Sequence, residues 1–378
     1  MNNALCAMPP EERVRFALRA LYERYDYRPY RMSQFEEYSL YAENRSFLQN
    51  PRVITFTDLD GRMMALKPDV TLSIVRHAQE NPVMTEKLYY TENVFRPSAQ
   101  SQAFKEISQI GVEAVGRIDV CQTAEVVALA GMSLEAISGD TLLEVSHMRF
   151  TVGLLNALGV ADAARAQALA ALAARNRSAL AAAAAQSSLC EADTNALLSL
   201  LTLYGGVEGT LQKARLLCRS GEMTAALDEL EAVLRAASVC VKTCRIQLDF
   251  SVAGDTDYYN GLMLRGYISG LPRAVLLGGR YDNILKKLGK GGGGIGFAID
   301  LSEVSRLPGD APQEAVDLIV RYESGCDAAA LLAAVSQETA RGLRVRALPA
   351  DAPAGELQYA RSVMLDELTG RKGGGDAC

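Results

Sequence analysis

The chain is 378 residues long, with 49% hydrophobic and 22% charged residues, no tryptophan and a formal net charge of −6. Length and composition suit a globular protein able to bury a large core, read here as two domains plus an insertion. The balance of 39 Lys and Arg against 45 Asp and Glu speaks against nucleic acid as a partner, because phosphate contacts need a basic surface. The start, MNNALCAMPPEERVRFALRALYERY, has acidic residues from Glu11 and no long apolar run, so neither a signal peptide nor a membrane span is expected, and the expected location is cytoplasmic. Eight cysteines are scattered without a CxxC pair, and neither His77 nor His147 clusters with Cys240 and Cys244. That spacing predicts reduced structural thiols and no metal site.

Pro9, Pro10, Glu11 and Glu12 open a helix whose apolar residues Val14, Phe16, Ala17, Leu18, Leu21 and Tyr22 form a stripe at helical spacing as far as Tyr25. Residues 53–58 and 62–66 flank an Asp60-Gly61 turn, a hairpin signal. Pro68 cannot lie inside a strand ladder, and Asp69 or Thr71 can cap the helix that follows. Residues 87–95 and 106–114 read as two strands joined by a polar loop. Glu92, Gln109 and Glu113 interrupt these apolar strands and Arg96 closes the first; polar groups there are costly unless paired, which points to a pocket floor.

A helix over 123–133 and a strand over 141–146 follow, with His147 taken as structural. Residues from about 150 to 241 turn Ala-rich with helical spacing, which predicts a small helical insertion, and 203–206 reads as a break between helices. Strands are expected at 245–250, 262–268, within 273–282 and at 294–299, forming an antiparallel meander. Adjacent tyrosines Tyr258 and Tyr259, taken as strand residues, should face opposite sides. The run 289–294 formally matches GxGxxG, but it precedes a strand instead of opening a helix and reads as a flexible turn. Past a linker at 308–312, residues 315–322, 327–341 and 343–348 form a β-α-β pattern, and the tail 371–378 is expected to be disordered.

Several of these stretches, in this order, resemble class II aminoacyl-tRNA synthetases, specifically the histidyl-tRNA synthetase branch. YYTENVFR with SQIGVEAVG resembles motif 2, DYYNG and GGRYD the two histidine-specific motifs, and GIGFAI motif 3. Motif 1 has a weak counterpart at 27–36, with Ser33 near the family's proline. The resemblance spans about residues 10–305 and implies an α+β fold: a class II synthetase-like antiparallel sheet flanked by helices. It implies a domain over 1–310 carrying the insertion at about 150–241, then a small α/β domain over 313–370 resembling a shortened anticodon-binding domain.

Residue by residue, the resemblance implies an amino-acid pocket made of Asp69, Thr71, Arg96, Gln109, Glu113, Tyr258, Tyr259 and Tyr281, with L-histidine as ligand. An ammonium needs carboxylate and phenol acceptors, and an imidazole needs one donor and one acceptor, which Glu113 and a tyrosine can supply. The family's ATP-binding positions read differently: Ser98 and Ala103 in the motif 2 loop, Gly254 before DYY, and Glu303 after motif 3, with Arg306 one turn on. Adenylate formation depends on preorganised cations around the phosphates, and a carboxylate there repels a triphosphate. A synthetase body with a histidine-like pocket and without those cations resembles the regulatory subunits of short-form ATP phosphoribosyltransferase. That resemblance implies a non-catalytic, cofactor-free subunit of histidine biosynthesis, binding histidine as feedback inhibitor and joining a catalytic subunit as homodimers within a hetero-octamer. The alternative is a divergent histidyl-tRNA synthetase that activates histidine with ATP and ligates it to tRNA.

Overall fold

The computed structural model describes residues 10–48, 52–78, 84–98, 103–252, 258–307, 315–355 and 357–370. The chain divides into a larger unit, Val14–Leu307, and a smaller one that holds the described residues from 315 onward.

Helix α1 (Pro10–Arg24) carries Glu11 and Glu12 in its first turn and Arg24 in its last, each charge complementing the helix dipole. Of the expected stripe, Leu18 and Tyr22 are fully buried, whereas Phe16 and Ala17 are exposed, because they fall on the side of the helix away from the face set by Leu18 and Tyr22. Strands β1 (Arg28–Pro29) and β2 (Phe35–Glu37) precede α2 (Tyr38–Glu43) and the hairpin β3 (Thr55–Thr57) and β4 (Met63–Leu66). The Asp60-Gly61 turn is made as expected: Gly61 takes φ +84°, and Asp58 N donates to Arg62 O. With β2 the hairpin forms a three-stranded antiparallel sheet, and the chain leaves it through α3 (Thr71–His77).

The central hairpin is β5 (Thr85–Pro97) and β6 (Phe104–Gly116), paired in register from Thr85 opposite Gly116 to Pro97 opposite Phe104. Both strands are longer than expected, because pairing continues through the polar flanks as far as Ser98 N to Ala103 O. Then come α4 (Val120–Ile137), β7 (Thr141–His147), the helices α5 (Met148–Ala157), α6 (Asp162–Ala173), α7 (Arg177–Gln186) and α8 (Glu191–Ser199), and a short strand β8 (Tyr204–Gly206). Helices α9 (Val207–Leu216) and α10 (Gly221–Ala237) lead to β9 (Arg245–Asp249), β10 (Leu262–Ile268), β11 (Leu276–Arg280), α11 (Asp282–Lys287), β12 (Gly293–Asp300) and α12 (Leu301–Val304).

Among the described residues nine strands form the main sheet, in the order β1-β5-β6-β12-β11-β10-β7-β9-β8. Its middle is antiparallel, as the resemblance implied, but β1 runs parallel to β5 and β7 parallel to β9. Residues 203–206 correct the expected break between helices: β8 pairs antiparallel with β9 and extends the sheet. Three residues are too few to leave a periodic trace in the sequence. Helix α4, capped by the Asp119 carboxylate on Cys121 N and Gln122 N, packs on β7, β10 and β12 and is covered by α10. Among the described residues it is the one helix long and apolar enough to cross a membrane, and more than half of it is buried in this core.

The smaller unit contains β13 (Ala315–Tyr322), α13 (Ala328–Ala340), β14 (Val345–Pro349), β15 (Gln358–Met364) and α14 (Leu365–Thr369), its three strands parallel in the order β14-β13-β15. The β-α-β pattern is present; β15 is an addition to it. Its first five residues are all exposed, so neither face shows the alternation that marks a strand. The expected linker at 308–312 and tail at 371–378 lie outside the described residues.

Candidate functional site

Side chains alternate along a strand, so Gln109, Gly111 and Glu113 of β6 share one face. Across the ladders, Tyr90 stands opposite Gly111 and Gly296 opposite Glu113. The glycines make room at this spot. A Cβ on Gly296 would lie 1.8 Å from Glu113 Oε2, and one on Gly111 2.7 Å from the Tyr90 ring. Glu113, 2% exposed, accepts hydrogen bonds from Thr71 Oγ1 at 2.6 Å and from Tyr281 OH at 2.5 Å. Burial pushes its pKa up to about 8, outweighing the two hydrogen bonds that favour the carboxylate.

Asp69 reaches the same space from the start of α3. Its Oδ1 accepts from Leu72 N at 2.8 Å, so it does cap the helix, while its Oδ2 lies 3.6 Å from Arg96 Nη2. Burial raises the Asp69 pKa, and Arg96 opposes the rise. Arg96 is oriented by Nε donating to Pro68 O at 2.7 Å. Tyr258 and Tyr259 belong to no strand, which corrects the expectation that they face opposite sides. Their rings pack together with centroids 4.5 Å apart, and Tyr258 also lies 6.2 Å from the Tyr281 ring.

All eight expected site residues, Asp69, Thr71, Arg96, Gln109, Glu113, Tyr258, Tyr259 and Tyr281, line one cavity of about 560 Å³. That volume falls in the range of small-molecule sites. Among the described residues, buried Gln109 makes no side-chain hydrogen bond, which leaves its amide for a ligand. Glu92, flagged with Gln109 and Glu113 as a pocket-floor residue, does not line the cavity: it pairs with fully buried Lys67 at 2.5 Å. Tyr90, Lys105, Arg273 and Asp300 line it without having been singled out as site residues. Tyr90 had a faint signal, a large aromatic opposite a glycine in a paired strand, whereas Arg273 sits in a loop with no period to read.

Elsewhere, His147 is fully buried with Nε2 3.5 Å from Glu229, and burial pushes its pKa down. Among the described residues no three His, Cys, Asp or Glu side chains converge as metal ligands.

A model of the histidyl-tRNA synthetase family matches residues 8–304. Over 291 residues the chain is 32% identical to the ATP phosphoribosyltransferase regulatory subunit of Anaeromyxobacter dehalogenans, covering 75% of this chain and 82% of that protein. The chain belongs to the ATP phosphoribosyltransferase regulatory subunit family. The family's member from Lactococcus lactis subsp. cremoris is 28% identical, covering 76% of this chain and 89% of its own. Two solved structures share the fold. One is the ATP phosphoribosyltransferase regulatory subunit/histidyl-tRNA synthetase of Bacillus halodurans, with TM-score 0.77 and 21% identity over 94% of this chain and 93% of that one. The other comes from the ATP phosphoribosyl transferase complex of Thermotoga maritima, with TM-score 0.61 and 17% identity over 77% and 97%.

In this regulatory subunit family member the cavity's outer rim is built from Ser98, Lys105, Arg273, Glu303 and Arg306. Arg306 Nη1 donates to Glu303 Oε2 at 2.9 Å within α12 and the turn after it. Gly254 lies outside the described residues.

Proposed function

We propose that the chain is the non-catalytic regulatory subunit of a short-form ATP phosphoribosyltransferase, which opens histidine biosynthesis, and that L-histidine occupies the 560 Å³ cavity as feedback inhibitor. Asp69 and the phenols of Tyr258 and Tyr259 take the ammonium, Arg96 the carboxylate, and Glu113 with Tyr281 the imidazole. The observation that carries this proposal is the contrast between the two ends of the cavity. Its inner end holds Asp69, Glu113 and three tyrosines, while at the rim Ser98 stands at the position of the family's motif 2 glutamate and Glu303, at the position of its motif 3 arginine, draws Arg306 to itself. Adenylate formation depends on cations preorganised around the phosphates, and a carboxylate at the position of Glu303 repels a triphosphate.

The names of the relatives and the Thermotoga maritima complex support a catalytic ATP phosphoribosyltransferase subunit as partner. The assembly is a hetero-octamer containing homodimers of this chain, in the cytoplasm. Residues 1–310 form the synthetase-like domain with its insertion at about 150–241, and 313–370 a remnant of an anticodon-binding domain. Histidine shifts the assembly between two states only if it binds them unequally.

Co-expression with a short ATP phosphoribosyltransferase tests the proposal: the two chains should co-purify, activity should rise, and L-histidine should suppress it. Robust histidine-dependent pyrophosphate exchange by the isolated chain would overturn it in favour of a divergent histidyl-tRNA synthetase.

A further inference from the structure

A second, smaller cavity of about 210 Å³ is lined by Arg149, Asn260, Arg280, Asp282 and Lys286, none of which lines the first. Three cations converge on it from three elements: Arg149 from the first turn of α5, Arg280 from the end of β11 and Lys286 from α11. Two carboxylates face them. Glu229 of α10 accepts from Arg149 Nη2 and, at 3.4 Å, from Arg280 Nη1, and Asp282 takes Arg280 Nε at 2.9 Å. Arg280 is thereby occupied, its Nη2 also donating to Ile118 O at 3.3 Å.

The other two cations are not. Among the described residues only Nη2 of Arg149 is engaged, leaving its other N–H groups, and Lys286 makes no ion pair. Asn260 adds an amide: Nδ2 gives one hydrogen to Asn283 Oδ1 at 3.3 Å and keeps a second. Buried His147 borders Glu229 and is held neutral by burial, so it adds no charge. The cavity therefore has a surplus cation and unspent planar donors, the chemistry that receives an oxyanion.

We propose that this cavity binds a small oxyanion, a phosphate or carboxylate group, between Arg149, Lys286 and the amide of Asn260. Sequence adjacency then ties it to the amino-acid cavity. Asn260 follows Tyr259 and Asp282 follows Tyr281, and the two segments are joined by Asp282 N to Asn260 Oδ1 at 3.0 Å and Asn260 N to Arg280 O at 3.1 Å. An oxyanion held by Asn260 reinforces the link between the segments that carry Tyr259 and Tyr281, so the two ligands bind with positive coupling. Binding of the oxyanion rests on the second cavity alone; only the coupling rests on the proposed function.

The test is a titration of the full chain with orthophosphate at constant ionic strength, read as the thermal midpoint and as phosphorus NMR line width. The wild type should show a saturable rise in midpoint that chloride does not reproduce. Lys286→Gln should weaken it at least several-fold, and Arg149→Gln with Lys286→Gln should abolish it. Lys286 is exposed and unpaired, so the single variant keeps the fold even if the double does not. No saturable effect in the wild type, or the same effect in Lys286→Gln, would overturn the site. With phosphate saturating, the L-histidine Kd should fall; an unchanged Kd removes the coupling and leaves the site. If L-histidine fails to bind at all, the proposed function falls while the phosphate titration still decides this cavity.

Discussion

Glu113 is where pH reaches the amino-acid cavity. Its folded pKa is raised to about 8 from an ordinary 4.5, so between those values the folded chain holds a proton that the unfolded chain releases. The stability that this proton represents is fully present below pH 4.5 and is lost as pH rises through 8. Thermal or denaturant unfolding should show stability declining across that window, at up to about 1.4 kcal/mol per pH unit, and levelling above it. Glu113→Gln should flatten the decline; an unchanged slope would assign it to another group. Glu113→Ala and Tyr258→Phe should each weaken L-histidine binding by roughly 1 to 3 kcal/mol, about 5- to 150-fold, without disturbing assembly. Calorimetric titration checks this, and unaltered affinity in both variants would place the ligand elsewhere. At this scale the sequence was informative where chemistry is unusual for its surroundings. A glutamate and a glutamine inside an apolar strand and an arginine at a strand end all stand out. It was misleading for Glu92, equally unusual in β5 but paired with Lys67 instead of facing the cavity. Glu92 finds its buried partner in Lys67, on the loop just after β4 of the smaller sheet, a contact that nothing within β5 records.

At the scale of elements, Glu135 near the end of α4 holds the return from the helical segment into the sheet. Its Oε1 accepts from the backbone nitrogens of Lys242, Thr243 and Cys244 just before β9 begins. Partial burial alone would raise its pKa; the three backbone donors prevail and hold it below the usual carboxylate range. Replacing Glu135 by Ala strips three donors of their acceptor and should cost about 2 kcal/mol in chemical denaturation, the figure for hydrogen bonds to a charged group. A loss near zero would mean that water replaces the carboxylate. The strands of the central hairpin, the Asp60-Gly61 turn and the Ala-rich helices were legible because each has a strong local cause: β-branched and aromatic runs, a glycine with positive φ, high helix propensity. Strand direction was not. Whether β9 runs with or against β7 depends on how the chain travels between them, and no residue within either strand records that.

At the scale of the molecule, a ligand that binds only the folded state stabilises it by mass action. L-histidine at 100 times its Kd should therefore add about 2.7 kcal/mol to the unfolding free energy, read as a rise in the thermal midpoint. D-histidine, with its ammonium and carboxylate exchanged in space relative to Asp69 and Arg96, should add much less. Equal effects would point to nonspecific stabilisation. The parallel pairing of β7 with β9 has its own consequence for how such chains can diverge. Leu142 stands opposite Arg245 and Val145 opposite Leu248, so the exit of β7 and the entry of β9 lie at opposite ends of their ladder. Parallel neighbours cannot be joined by a tight turn and need a crossover of a dozen residues or more. The Ala-rich helices between these strands are that crossover, and what looks like an accessory inserted into a finished sheet is a span the sheet cannot close without. Lineages are free to lengthen, trim or resurface it, but a descendant that lost it entirely would have to give up β9, and with it the edge of the sheet.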